Sequence, residues 1–254
     1  MKEWLKISYN KILLCVLLVL IVVNVMATLG HFELLEKLTK PLLIPIFLMY
    51  FLARHKRIEA AIVGFLIFSF LGDLSSVFFD NELLIESSSI AYFLSYICLV
   101  YVAITRIHKI NFDKIIAAYL MVVFAINAYF MYVLFTVLQT QIADEVEVIA
   151  FGARSIALVV LAFVAFVVYL NFETKQSIMF LVTSLCFVFS DVLFYISNYY
   201  IYDWSFVLID RVLHAVGLFF LIGCVVNESK MLNNQSVKSR LSIERTKNND
   251  PIAA

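Results

Sequence analysis

Residues 54–80 read RHKRIEAAIVGFLIFSFLGDLSSVFFD. A basic cluster, Arg54, His55, Lys56 and Arg57, stands at one end, and Asp80 closes the other. Between them the run 58–79 is apolar nearly all round. A helix lying on a soluble core would carry a polar stripe instead. About 20 apolar residues in a helix cross the hydrocarbon core of a bilayer, and this run has that length. Its basic end marks the cytoplasmic side, because cytoplasmic loops carry the excess of Lys and Arg. Asp73 breaks the apolar pattern from well inside the run.

The rest of the chain repeats this design. Of its 254 residues 63% are hydrophobic and 15% charged, against roughly 45–50% and about 25% in soluble domains. A soluble protein of this size lacks the polar surface to cover so much apolar material. The composition excludes a disordered chain, a collagen-like chain, a disulfide scaffold and a nucleic-acid binder, and leaves a polytopic membrane protein. Cys15, Cys98, Cys186 and Cys224 all fall inside apolar runs and read as small buried hydrophobes. The apolar runs predict an all-α bundle of eight transmembrane helices at 12–30, 38–53, 58–79, 87–105, 115–138, 147–170, 177–197 and 205–226. They define one domain over 1–226, followed by a polar tail over 227–254 that reads as disordered. The first run follows Lys2, Lys6 and Lys11. It is longer than the 7–15 apolar residues of a cleaved signal peptide, so it reads as a retained helix. The second run is short, with Pro41 near its start and Pro45 inside, where a kink is expected.

The loops sort by charge. Lys2, Lys6, Lys11, Arg54, Lys56, Arg57, Arg106, Lys109, Lys114 and Lys175 fall on one side with the tail. Glu33, Glu36, Asp80, Glu82, Glu86, Asp144, Glu145, Glu147 and Asp203 fall on the other, where Lys37 and Lys40 are the basic residues. Both termini are then cytoplasmic, which an even number of spans requires. The reading is an integral, multi-pass membrane protein, in the inner membrane if the source is bacterial.

Ionisable residues inside spans cost about 2.5–3.5 kcal/mol each at the helix centre and mark functional sites by default. Asp73, Arg154, Asp191, Arg211 and His214 are of this kind, with Lys40 and Asp210 near outer ends. Asp73 and Asp191 fall at similar depth in spans that both run outward, as if four helices had been weakly duplicated into eight. Ser69 and Ser76 share the face of Asp73, and Ser184, Tyr195 and Asn198 that of Asp191. Gly72 permits close helix approach. Span 4 adds Ser88, Tyr92, Ser95 and Tyr96. A polar cavity lined by spans 2, 3, 4, 6, 7 and 8 gathers these residues most economically. The plainer alternative is structural, with Asp73 paired to Lys40 or Arg154, and Asp191 to Arg211. No histidine cluster suits a metal, and the serine-elbow, zincin and phosphate-loop motifs are absent from the sequence.

Three segments carry a resemblance. TKPLLIPIF at 39–47, FLIFSFLGD at 65–73 and LCFVFSDVLFYISNYY at 185–200 are similar to the Lys-Pro-Leu, Ser-x-x-Gly-Asp and Phe-x-x-Ser-Asp segments of the YhhN-like lysoplasmalogenases. Order and spacing match over most of 1–226. Two positions depart from that family. Tyr96 stands where a histidine is usual, and IDRVLHAVG at 209–217 replaces a helix that usually presents Tyr and Gln. The resemblance implies metal-free hydrolysis of the vinyl-ether bond of a lysophospholipid drawn from the bilayer, giving a fatty aldehyde and a glycerophospho-base.

The residues suit that chemistry. Vinyl-ether cleavage needs an acid to protonate carbon and a carboxylate to orient water and offset positive charge. Two neighbouring carboxyl groups in a low-dielectric site divide into those roles, which Asp73 and Asp191 would fill. Lys40, Arg154 or Arg211 would hold the phosphate, with Ser69, Tyr96, Tyr195 and His214 lining the substrate site. The competing class is a proton-coupled transporter or binding protein built on the same Asp pair. No inverted repeat or matched pair of broken helices supports it.

Overall fold

The computed structural model describes residues 33–54, 59–78, 82–105, 107, 114–141, 144–172, 174–201 and 203–225, and part of 19–30. Every described element is an α-helix: α1 Glu33–Arg54, α2 Ala60–Phe78, α3 Glu82–Thr105, α4 Lys114–Gln141, α5 Glu145–Phe172, α6 Lys175–Tyr199 and α7 Trp204–Val225. A helix satisfies its own backbone, which is what a chain surrounded by hydrocarbon requires. Among the described residues five stretches are long and apolar enough to cross a membrane, namely Ser87–Thr105, Ala118–Thr140, Glu145–Phe172, Lys175–Tyr199 and Trp204–Val225. The apolar part of α2, Ala60–Ser76, is shorter. The protein is thus an all-helical bundle with several membrane-spanning helices. Most of the expected first span, 12–30, lies outside the described residues, as does the 227–254 tail.

The helices overrun several expected spans. α1 begins at Glu33 rather than 38, so Pro41 sits well inside it and the helix continues through both prolines. α3 begins at Glu82, a turn before the apolar run starts. Polar first turns belong to these helices although they add nothing to the apolar count.

α3 is central, packed between α2 and α5; α6 lies against α5, α1 against α2, and α4 against α5. The core contains Phe65, Tyr96, Leu99, Leu161, Phe187 and Leu218, all almost completely buried. α4 is peripheral. Met121, Tyr129 and Tyr132 on it are each more than 60% exposed, the surface that meets lipid.

One glycine sets the distance between α2 and α3. A Cβ at Gly72 would stand 3.0 Å from the Tyr92 ring. The Gly72 carbonyl accepts the Ser88 hydroxyl at 3.0 Å. The small residue therefore admits an aromatic ring beside the Asp73 carboxylate.

Among the described residues three helix starts are capped, that of α5 by Asp144, whose Oδ1 accepts the Val146 N–H at 2.9 Å. Thr174 and Ser177 form a reciprocal capping box on α6. Asp203 Oδ1 accepts the Ser205 N–H at 2.8 Å, and the Asp203 carbonyl takes up Phe206 N–H at 3.1 Å, opening α7. The backbone N–H of Ser205, with its hydroxyl second, holds the Asp203 carboxyl below the ordinary carboxylate range.

Gly72→Ala should lower the thermal unfolding temperature in detergent by displacing Tyr92. The loss should shrink in a Tyr92→Ala background, and equal losses in both backgrounds would refute the contact's role. Because the folded-state carboxyl of Asp203 is depressed, its stabilising effect is complete above the unfolded value of about 4 and fades as pH falls through the folded value. Wild type and Asp203→Ala should accordingly differ in unfolding temperature at neutral pH and converge in strong acid.

Candidate functional site

The described helices enclose a polar cavity of about 690 Å³, its mouth included. Thr39 of α1, Asp73 of α2, Tyr92 and Tyr96 of α3, Arg154 of α5, Ser190 of α6, and Asp210, Arg211 and His214 of α7 contribute to its wall, together with Leu20 from the segment before α1. At about 1.5 Å per residue, Asp73 lies about 8 Å from the end of α2 and Asp210 about 9 Å from the start of α7. By the same measure, Asp191 lies about 12 Å from the end of α6 and Arg154 about 14 Å from the start of α5. These helix ends lie on one side of the bundle, so the charged groups occupy one layer about a turn thick.

Within this layer the charges are paired in a defined way. The guanidinium of Arg154 forms an ion pair with Asp191, both almost fully buried. It also lies 4.2 Å from the Tyr92 ring centroid and 5.3 Å from that of Phe194, in the range of cation–π attraction. Asp73 accepts the hydroxyl of Tyr92. Ser190 donates to Asp210 at 2.5 Å. Tyr96 is almost fully buried on the same cavity, its ring centroid 6.3 Å from that of Tyr92. Among the described residues no three His, Cys, Asp or Glu side chains group to hold a metal ion.

This geometry sorts the residues singled out from the sequence. Asp73, Tyr96, Arg154, Arg211 and His214 line the polar cavity. Asp191 and Tyr195 line a second, apolar cavity on the other side of the ion pair. Ser69 is fully buried one turn from Asp73 and lines neither. The side chain of Lys40 lies outside the described residues. Several hydroxyls donate to their own helix: Ser76 to Asp73 O at 2.9 Å, Ser95 to Tyr92 O at 2.7 Å and Ser184 to Phe180 O at 3.0 Å. Asn198 is exposed and donates to Phe194 O at 2.7 Å. Arg154 pairs with Asp191, where the structural alternative drawn from the sequence set it against Asp73.

Two residues matter more in the structure than their sequence positions suggest. Tyr92 is a direct partner of Asp73 and a platform for Arg154. Asp210 is a buried cavity carboxylate, although its position near a span's end suggests a boundary residue. Its i, i+4 spacing from His214 is the available signal, since such residues share a helix face.

Comparison with known proteins gives one match. No curated protein and no solved structure is similar to the chain. The model of the YhhN family matches residues 35–221, a stretch that contains every cavity residue of α1 to α7. With most of its length covered by that match, the chain belongs to the YhhN family.

Proposed function

We propose that the protein is a membrane hydrolase that cleaves the vinyl-ether bond of lysoplasmalogen-type lysophospholipids. The products are a fatty aldehyde and a glycerophospho-base. The observation that carries this reading is the gathering of Asp73, Asp210, Arg154 and Arg211 on one cavity within an apolar bundle, with Asp191 directly behind Arg154. Family membership is consistent with a hydrolase.

In this reading Asp73 is the acid. It delivers a proton to the enol-ether carbon remote from oxygen, leaving an oxocarbenium ion. Asp191, ionised against Arg154, supplies the fixed negative charge that offsets the cation. Water adds to the oxocarbenium carbon and gives up a proton to the carboxylate of Asp73. The hemiacetal then collapses, its hydroxyl proton passing to the departing glycerol oxygen as the C–O bond breaks. One water is consumed, the acid is restored, and no redox change occurs. Arg211, with Lys40 and Arg154, is assigned to the phosphate, and Tyr96 and His214 to the walls around it. The bundle has eight spans with both termini cytoplasmic, so the cavity faces the outer side, and lysophospholipid from the bilayer is its substrate.

Asp73→Asn and Asp191→Asn should each abolish aldehyde release from a purified lysoplasmalogen, by two orders of magnitude or more, while the protein still reaches the membrane. Full activity in both variants would dismiss the acid–base assignment. Solute uptake into proteoliposomes, with no aldehyde formed, would support a proton-coupled transporter instead.

A further inference from the structure

A second cavity, about 470 Å³ with its open mouth included, lies between α4, α5 and α6. Phe135, Leu138, Phe151, Leu158 and Val188 line it, and Asp191 is the one charged group among its lining residues. Asp191 faces this apolar space, while its partner Arg154 faces the polar cavity. The ion pair therefore stands at the boundary between a cavity that gathers charged side chains and one lined almost wholly by apolar ones.

The outer wall of the apolar chamber is α4, the helix most open to lipid. At Gly152 on α5, a Cβ would stand 2.8 Å from the Phe135 ring of α4. The glycine lets that ring settle against α5 along the edge of the chamber. Among the described residues, α4 stands between the chamber and the exposed face of the bundle.

A lysophospholipid has the same division as the two chambers, with a polar head, an apolar chain and the scissile bond at their junction. We infer that the apolar chamber between α4, α5 and α6 holds the hydrocarbon chain of a lysophospholipid whose head occupies the polar cavity, with the head–chain junction at Arg154–Asp191. This rests on the hydrolase reading and adds the binding site of the chain. The surrounding lipid is as apolar as the chamber, so moving a chain from bilayer to chamber gains little by the hydrophobic effect. The chamber selects by shape and length.

The test uses the full chain in detergent micelles and an ether-linked, non-hydrolysable lysophosphatidylcholine with a diazirine at the end of a long saturated chain. After irradiation, labels should map to Phe135, Leu138, Leu158 and Val188. They should fall about tenfold in Val159→Phe or Val192→Phe, which fill the chamber from α5 or α6. The same variants should lower the preference for long over short alkenyl chains in aldehyde release. Labels confined to Tyr129 and Tyr132 on the lipid face of α4, or insensitive to both filling variants when these are folded, would overturn the inference. Labelling does not depend on turnover. A labelled chamber in a protein that forms no aldehyde would overturn the hydrolase reading alone, and aldehyde formation with no chamber labels would overturn the chain site alone.

Discussion

The ion pair of Arg154 and Asp191 is the constraint around which the rest of the bundle is arranged. Either charge alone inside a membrane is costly. Removing one partner of a buried pair typically costs about 3–5 kcal/mol, because the other charge is left uncompensated. The pair therefore fixes α5 and α6 in rotation as well as in height. Nearby contacts reinforce the same register. Tyr199 donates to Glu147 at 2.8 Å, and the rings of Phe151 and Tyr195 lie 5.3 Å apart. The aromatic ring of Tyr92 brings α3 against the guanidinium.

From this point the network spreads through neutral donors. Tyr92 reaches Asp73 on α2 through the space that Gly72 leaves. Ser190 and Asp191 are adjacent in sequence, and about 100° of helical turn separates their directions. Asp191 accordingly serves α5 while Ser190 serves Asp210 on α7. One turn of α6 thus connects three helices. Charges meet hydroxyls, a guanidinium or an aromatic face, so a polar cluster is held within a largely apolar assembly.

Much of the helical layout was legible in the sequence, because a long helix that is apolar on every side is at home in hydrocarbon and poorly tolerated in water. The starts of α1 and α3 were not legible. Their first turns hold Glu33, Glu36, Glu82 and Glu86, which read as loop when hydropathy alone is followed, although polar residues are comfortable in a helix beyond the hydrocarbon. Asp73, Asp191 and Arg154 stood out as charges set in apolar runs. Their partners did not, since choosing between Asp73 and Asp191 for Arg154 requires the rotation of each helix about its axis. That rotation is set by packing details such as the Gly72–Tyr92 approach. The serines misled for a related reason. A hydroxyl on a helix can return to its own backbone, as Ser76, Ser95 and Ser184 do, and helical spacing alone does not reveal this.

The two prolines of α1 carry a mechanical consequence. A proline has no N–H to give to the carbonyl four residues earlier, so Pro41 and Pro45 remove two rungs from the ladder of a single helix. Thr39 and Leu43, which line the polar cavity, lie between and beside those missing rungs. The wall contributed by α1 is consequently more compliant against bending than the wall of α5 and α6, which the ion pair stiffens. The site is asymmetric in rigidity: Arg154 sits on a braced frame, whereas α1, which carries no part of that pair, can yield.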